Sequence, residues 1–238
     1  MSSSVRGRGS VASGLELIVR EGQREAVELA AQELARAAAA GGHVALSGGS
    51  VQDTYELAAL LQPAWDGVEL WWVDERCVPP DDERSNFGLV RGSLLDRLET
   101  PPRAVHGVET ELGPERAAER YDADLAGVEL AFAFMGIGPD GHTASLFPHA
   151  PALDERERRA VAAPAEFEPL VERVTLTIPV LSAARVLLFL VTGEAKADAV
   201  GRAFGQPPSP ATPASLVRSA GGRTVVILDR AAAASLDG

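Results

Sequence analysis

The sequence has one cysteine, Cys77, among its 238 residues. A single cysteine cannot form an intrachain disulfide, which excludes a disulfide-stabilised scaffold and fits a reducing compartment. Long apolar stretches are absent too: the longest clean run, Val186 to Val191, is far below the roughly 20 residues that a transmembrane helix needs. No apolar stretch typical of a secretory signal follows the start. We therefore expect a cytoplasmic protein with no membrane partner.

Positive charge is scarce as well. Lysine and arginine number 22 against 34 aspartates and glutamates, so the formal net charge is −12. Binding to nucleic acid depends on clustered cations that contact phosphates, and we expect no such partner. A small anion in a locally basic pocket is still compatible with this charge. Lys196 is the one lysine, and every other basic residue is an arginine. This suggests that the position needs an ammonium group; the alternative is a chance surface lysine.

The order of apolar segments predicts the fold class. Short apolar segments alternate with longer segments of helical periodicity, and several of the short ones are apolar on both faces. This pattern predicts an α/β fold with a largely parallel sheet and helices on both faces. No repeat or interdomain linker is evident, so we expect a flexible tail at residues 1–12 and a single domain over 13–238. The predicted strands are 43–46, 68–73, 104–106, 130–135, 173–177, 185–191 and 224–228, and the predicted helices include 24–40, 86–98, 114–125, 194–204 and a short alanine-rich helix at the C-terminal end.

Ligands of such sheets bind beyond the carboxyl ends of the strands, so the strand-to-helix loops are the candidate site. The first loop contains Ser47, Gly48, Gly49 and Ser50. Its glycines allow the backbone to approach a ligand closely, and the helix that follows offers amides to an anion. It matches neither the Walker pattern nor GxGxxG. The alternative is a tight turn without a ligand.

The second loop contains Asp74, Glu75 and Arg76, three charged residues where a strand is predicted to end. A guanidinium can bind two phosphate oxygens at once, so we predict that Arg76 is a phosphate ligand held by Asp74 or Glu75. Residues 85–88 are expected to bring further polar groups to the same ligand. The alternative is a solvated, ion-paired loop.

The third loop, residues 136–148, is the most specific segment. It contains Asp140 and His142, two residues apart, among glycines and a proline. A histidine can take up a proton near neutral pH, and a neighbouring carboxylate can orient its ring. The alternative is a structural histidine that caps the turn. The other three histidines lack such a setting and are expected to be structural or exposed: His43, His106 and His149.

These segments, with the one around Lys196, resemble the 6-phosphogluconolactonase family. The resemblance extends from about Val11 to Asp229. The motifs occur in the order of that family: LSGGS at 46–50, DERCVPPDDERSNFG at 74–88, GIGPDGHTASLFP at 136–148 and RVTLTIPVLSAARVLLFLVTGEAK at 173–196. The wider superfamily includes glucosamine-6-phosphate deaminases and ribose-5-phosphate isomerases. The resemblance implies a modified Rossmann-type sheet.

The resemblance also implies a reaction, the hydrolysis of 6-phospho-D-glucono-1,5-lactone to 6-phospho-D-gluconate. It implies that His142 is the general base, and that Arg76 and Lys196 hold the phosphate. Beside these we expect Asp140 to assist His142, and the amides of Gly48 and Gly49 to stabilise the oxyanion. The remaining candidate substrate-binding residues are Ser47, Ser50 and Asp74. We expect no metal, no cofactor and no partner beyond the sugar-phosphate lactone, and a monomer, with a weak homo-oligomer as the alternative.

Two other functions stay open. Deaminases of the superfamily read DEY where this chain has Asp74-Glu75-Arg76, and HIAFNEP where it has residues 142–148. The glutamate used for ring opening in that second motif is missing here. The other alternative is a sugar-phosphate sensor of a transcriptional regulator, but the chain has no spare length for a helix-turn-helix module, and its negative charge is unsuited to DNA.

Overall fold

The computed structural model describes residues 14–164, 166 and 168–236, and the predicted tail at 1–12 lies outside them. The strands are β1 (Leu15–Arg20), β2 (Gly42–Leu46), β3 (Val68–Trp72), β4 (Asp74–Arg76), β5 (Ala104–Val105), β6 (Leu130–Met135), β7 (Ala160–Ala163), β8 (Arg173–Leu176), β9 (Val186–Val191) and β10 (Arg223–Asp229). The α-helices are α1 (Gln23–Ala40), α2 (Gln52–Leu61), α3 (Asn86–Ser93), α4 (Pro114–Asp124), α5 (Ile178–Ala183) and α6 (Ala197–Gly205).

Seven strands form a parallel sheet in the order β1-β10-β9-β6-β2-β3-β5. Helices α1, α2 and α3 pack on one face, and α4, α5 and α6 pack on the other. Adjacent residues of β3 serve both faces: Trp71 lies 5.8 Å from the Tyr121 ring of α4, and Trp72 lies 5.4 Å from the Phe87 ring of α3. The predicted fold class, a largely parallel α/β sheet covered on both faces, is confirmed.

A second, antiparallel sheet joins β4, β8 and β7. Its β4 is the charged segment that was predicted as a loop, and that prediction is wrong. The strand predicted at 173–177 exists as β8, but it belongs to this small sheet rather than to the parallel one. Hydrophobic periodicity fails here because β4 has three residues, all of them charged. The pairing sets Arg76 directly opposite Arg173.

The helix ends follow local signals with two exceptions. Gly41, at φ 73°, ends α1, and the Ser85 hydroxyl caps α3 by accepting the Gly88 amide at 3.1 Å. Helix α3 ends at Ser93 and not at residue 98. The predicted alanine-rich helix at the C-terminal end is wrong: residues 230–234 form turns, because so short a segment cannot sustain a helix on alanine propensity alone. Across the described residues, no helix has the length and apolarity to span a membrane.

Candidate active site

A cavity of about 440 Å³ opens beyond the carboxyl ends of β2, β6 and β9. Every predicted site residue except Asp140 lines it: Ser47, Gly48, Gly49, Ser50, Asp74, Arg76, His142 and Lys196. Asp140 contacts His142 instead. The fold therefore brings the four predicted loops to one place, as expected for the carboxyl edge of a parallel sheet.

Five more polar side chains line the cavity: Gln23, Asn86, Glu168, Arg173 and Thr192. Asn86 belongs to the segment expected to add polar groups. Arg173 is the most important residue in this group for which the motifs predict no role. It is the first residue of the motif at 173–196 and a charged residue at the start of a strand.

The pair formed by His142 and Asp140 is the chemical centre of the cavity. The ring Nδ1 of His142 lies 2.6 Å from Oδ1 of Asp140, and the same oxygen accepts the His142 backbone amide at 3.1 Å. Burial raises the pKa of Asp140, but the hydrogen bonds and charge of His142 outweigh it, and the pKa lies below its ordinary value. Asp140 is therefore an ionised acceptor at neutral pH, which assigns Nδ1 as the donor in this pair.

The loop after β6 is shaped for this pair. A Cβ on Gly138 would lie 2.2 Å from Cε1 and Nδ1 of His142 and 2.6 Å from the Asp140 carboxylate, so only glycine leaves room for them. The Gly138 amide donates to the His142 carbonyl at 2.8 Å, which closes the loop. Gly141 has φ 98°, a conformation that favours glycine. Gly138 and Gly141 thus have identifiable steric and conformational roles.

Lys196 ends a 3₁₀ turn after β9 and reaches back to the same loop. Its Nζ donates to the Ile137 carbonyl at 2.8 Å. Burial lowers the pKa of Lys196, and the negative charge of Asp140 opposes that shift. The ammonium therefore lies on the side of the cavity that carries His142 and Asp140.

The turn after β2 presents its backbone to the cavity. Tyr55 of α2 donates its hydroxyl to the Ser47 carbonyl at 2.6 Å, and Gly49 has φ 92°, which favours glycine. The Ser47 hydroxyl is buried and makes no hydrogen bond to any part of the chain that the structure describes. A buried hydroxyl without a partner is costly, which suits a group whose partner is a ligand.

Arg76 and Arg173 form a cationic wall of the cavity. They face each other across β4 and β8, and both line the cavity. The Arg173 guanidinium lies 5.4 Å from the Phe147 ring centre. Burial lowers the pKa of Arg173, the charge of Arg76 lowers it further, and Asp74 opposes both. Two arginines at paired positions of neighbouring strands repel, so this arrangement favours an anion bound near both.

The predicted support for Arg76 by Asp74 or Glu75 is wrong. The Arg76 guanidinium donates to the Arg84 carbonyl at 2.7 Å. Glu75, 2% exposed, accepts the backbone amides of Arg76, Asn86 and Phe87 at 2.7, 2.8 and 2.6 Å. Burial raises the pKa of Glu75 to about 7, although these amides act against the shift. The Glu75 carboxylate holds the backbone of the strand and helix rather than the arginine.

Asp74 is held from two sides. Its Oδ2 accepts the Ser145 hydroxyl at 2.6 Å, and its carbonyl oxygen accepts Nδ2 of Asn86 at 2.8 Å. The three histidines expected to be structural do not line the cavity; His106, for example, stacks on Trp71 at 3.9 Å. Residues 14–164, 166 and 168–236 contain no grouping of histidine, cysteine and acidic side chains suited to a metal ion.

Known proteins are similar to this chain in sequence and in fold. Residues 18–226 match the family model of glucosamine-6-phosphate isomerases and 6-phosphogluconolactonases. The chain belongs to this family. It is 40% identical to the 6-phosphogluconolactonase of Homo sapiens, over 79% of this chain and 78% of the human protein. It is 32% identical to that of Haemophilus influenzae, over 80% of this chain and 85% of that protein.

Solved structures agree with this assignment. The 6-phosphogluconolactonase of Trypanosoma brucei superposes with a TM-score of 0.83 at 25% identity, covering 94% of this chain and 100% of that one. A monomeric glucosamine-6-phosphate deaminase superposes with a TM-score of 0.77 at 19% identity, covering 92% and 99%, and that likeness concerns the fold alone. The resemblance stated from the sequence motifs is confirmed at the level of the family.

Proposed function

We propose that this protein hydrolyses 6-phospho-D-glucono-1,5-lactone to 6-phospho-D-gluconate. The observation that carries the proposal is one cavity lined both by His142, which is paired with Asp140, and by two arginines, Arg76 and Arg173. Such a cavity suits a substrate with an ester at one end and a phosphate at the other. The 6-phosphogluconolactonases among its relatives support the same reaction.

The lactone carbonyl needs only a positioned water and a base, because a δ-lactone is already an activated ester. In this mechanism His142 accepts a proton from water through Nε2 while Asp140 holds Nδ1. The water oxygen bonds to C1, and the carbonyl oxygen becomes an oxyanion. The amides of Gly48 and Gly49 are our candidates for its hydrogen-bond donors. The C1–O5 bond then breaks, and the protonated His142 returns its proton to the departing ring oxygen.

The phosphate anchors the substrate at a distance from C1. We assign this role to Arg76 and Lys196, and we add Arg173 because it lies opposite Arg76 in the same wall. Arginine binds phosphate oxygens in pairs, whereas lysine contributes a point charge. Local cations must hold the dianion because the net charge of −12 provides no long-range attraction.

The two alternative functions fit the site less well. A deaminase of this fold requires an acid after the histidine, but Leu146 and Phe147 are apolar and buried. A sensor needs no proton-transfer pair, yet His142 and Asp140 are positioned for one. We retain the prediction of a cytoplasmic monomer without a nucleic-acid or membrane partner.

The test is the hydrolysis rate of enzymatically generated 6-phosphogluconolactone, corrected for spontaneous hydrolysis. We expect rapid turnover by the wild-type protein, and we expect His142→Ala to lower kcat by about 10²–10⁴-fold while product binding stays near normal. Glucosamine 6-phosphate serves as the competing substrate and should release no ammonia. A wild-type rate equal to the spontaneous rate, or ammonia release, would overturn the proposal.

A further inference from the structure

Asn86 lies between β4 and the turn after β2, and it contacts both. It is the first residue of α3 and is 1% exposed, yet it lines the cavity. Its backbone amide donates to Glu75 at 2.8 Å, and its side-chain Nδ2 donates to the Asp74 carbonyl at 2.8 Å. Both its backbone and its side chain are therefore fixed to β4.

The side chain of Asn86 fills the space beside Gly48. A Cβ on Gly48 would lie 1.8 Å from Oδ1 and 2.4 Å from Cγ of Asn86. The backbone of Gly48 does not itself require glycine, since Gly49 and not Gly48 has the positive φ. Gly48 must therefore lack a side chain because Asn86 is there, and the amide group of Asn86 fixes how closely the turn approaches β4.

The contact continues to the loop that carries the histidine. The Asp74 carboxylate, beside the carbonyl that Asn86 binds, accepts the hydroxyl of Ser145 at 2.6 Å. Ser145 is fully buried, and its amide donates to Thr175 Oγ1 at 3.2 Å. A continuous series of contacts thus runs from Gly48 through Asn86 and Asp74 to Ser145, three residues beyond His142.

This arrangement is costly for stability. The buried Oδ1 of Asn86 has no hydrogen-bond partner in the part of the chain that the structure describes. An unsatisfied buried carbonyl is unfavourable, and an apolar side chain of similar volume would avoid it. Asn86 is a polar residue at such a position and contacts a candidate oxyanion site, which points to a role in the reaction.

We infer that Asn86 is a positioning residue, which sets the distance between the Gly48–Gly49 amides and His142 through Asp74 and Ser145. This inference rests on the proposed function, because it assumes that those amides and His142 act on the same carbonyl. A displacement of about 1 Å between such groups can lower a rate about 10²-fold. The phosphate ligands are untouched, so loss of Asn86 should act on kcat rather than on KM.

The test is a double-mutant cycle with Asn86→Ala and Gly48→Ala. Asn86→Ala should lower kcat about 10- to 100-fold and leave KM within about threefold. Gly48→Ala should also lower kcat in the wild-type background. In the Asn86→Ala background the same substitution should lower kcat by a factor at least about fivefold smaller, because Cγ and Oδ1 of Asn86 are no longer there to clash with the new methyl group. Gly92→Ala is the matched control: it lies exposed in α3, where an added Cβ meets no atom within 4 Å, and its effect should be absent in both backgrounds.

The inference would be overturned if the fold-losses in kcat of Gly48→Ala and Asn86→Ala simply multiply in the double variant. It would also be overturned if Asn86→Ala changes KM alone. If Gly48→Ala does not fold, Ser145→Ala decides: it removes only the hydroxyl at the far end and should lower kcat several-fold without raising KM. Unchanged kcat in both Asn86→Ala and Ser145→Ala would also overturn it. Melting temperatures of the four proteins of the cycle, measured without substrate, separate this inference from the proposed function. Non-additive changes in melting temperature would show that Asn86 and Gly48 are in contact even if the wild type does not hydrolyse the lactone.

Discussion

The imidazole of His142 occupies the space that a side chain on Gly138 would need. A Cβ at position 138 would lie 2.2 Å from two ring atoms of His142, so the observed position of the ring requires glycine at position 138. The backbone at Gly138 therefore packs directly against the His142 ring and fixes its orientation relative to Asp140.

This contact gives the first prediction. Gly138→Ala should lower kcat almost as much as removal of the histidine, about 10²-fold or more, because the ring must turn away from Asp140. The measurement is kcat on the phosphorylated lactone, with Gly92→Ala as the control for a glycine-to-alanine change without a clash. Wild-type kcat in Gly138→Ala would show that the orientation of His142 is irrelevant to the rate.

Asp140→Asn tests the carboxylate itself. The variant keeps the shape of the side chain but removes the negative charge that holds Nδ1 at 2.6 Å. We expect kcat to fall about 10²-fold, since the asparagine can also favour the wrong ring tautomer. Binding of the product should change little, because Asp140 does not line the cavity. A kcat within threefold of the wild type would remove Asp140 from the mechanism.

How far the sequence predicts this site depends on the distance along the chain. Asp140 and His142 are two residues apart, so their partnership is visible in the motif itself. The parallel sheet is also predictable, because strands such as β6 and β9 are apolar on both faces and alternate with helices. The meeting of four loops then follows from the general rule for parallel sheets.

Arg173 and the contact between Asn86 and Gly48 show why the rest is not predictable. Arg173 reaches the cavity only because β8 pairs with β4, and β4 is too short and too polar to show a strand pattern. Asn86 matters through a steric contact with Gly48, and no sequence rule couples a glycine to a distant asparagine. Likewise, the proximity of Asp74 and Glu75 to Arg76 along the chain predicts that they bind its guanidinium. Both carboxylates are buried, and they accept hydrogen bonds from a hydroxyl group and from backbone amides instead.

Glu75 gives a prediction about pH and stability. Burial raises its pKa from 4.5 to about 7 in the folded protein. The folded state then binds more protons than the unfolded state between these values, so the contribution of Glu75 is fully present below about pH 4.5 and is lost as the pH rises through 7. The melting temperature of the wild type relative to Glu75→Gln should therefore fall between pH 4.5 and 7.

The Glu75→Gln comparison isolates the titration, because glutamine keeps the size of the side chain and loses only the ionisable group. Any constant difference between the two proteins reflects the altered hydrogen bonds to the three amides and does not enter the prediction. A difference in melting temperature that is flat or rises across this range would show that the amide donors outweigh burial at Glu75.

Lys196→Ala should raise KM for the phosphorylated lactone far more than it lowers kcat. Loss of one charge-assisted contact to the phosphate costs about 1.5–3 kcal/mol, or roughly 10–150-fold in affinity. The phosphate is remote from C1, so the contact is equal in ground and transition states and its loss appears in KM. Arg173→Met should behave in the same way. Arg185→Ala is the control for net charge, since that side chain is 75% exposed and does not line the cavity.

Unphosphorylated glucono-1,5-lactone separates phosphate binding from the other role that the structure allows Lys196. Its Nζ binds the Ile137 carbonyl, next to the loop that holds His142, so the ammonium could equally support that loop. A phosphate ligand predicts that Lys196→Ala changes the rate on the unphosphorylated lactone little. A supporting role predicts equal losses in kcat on both lactones, and that outcome would leave Arg76 and Arg173 as the cations that hold the phosphate.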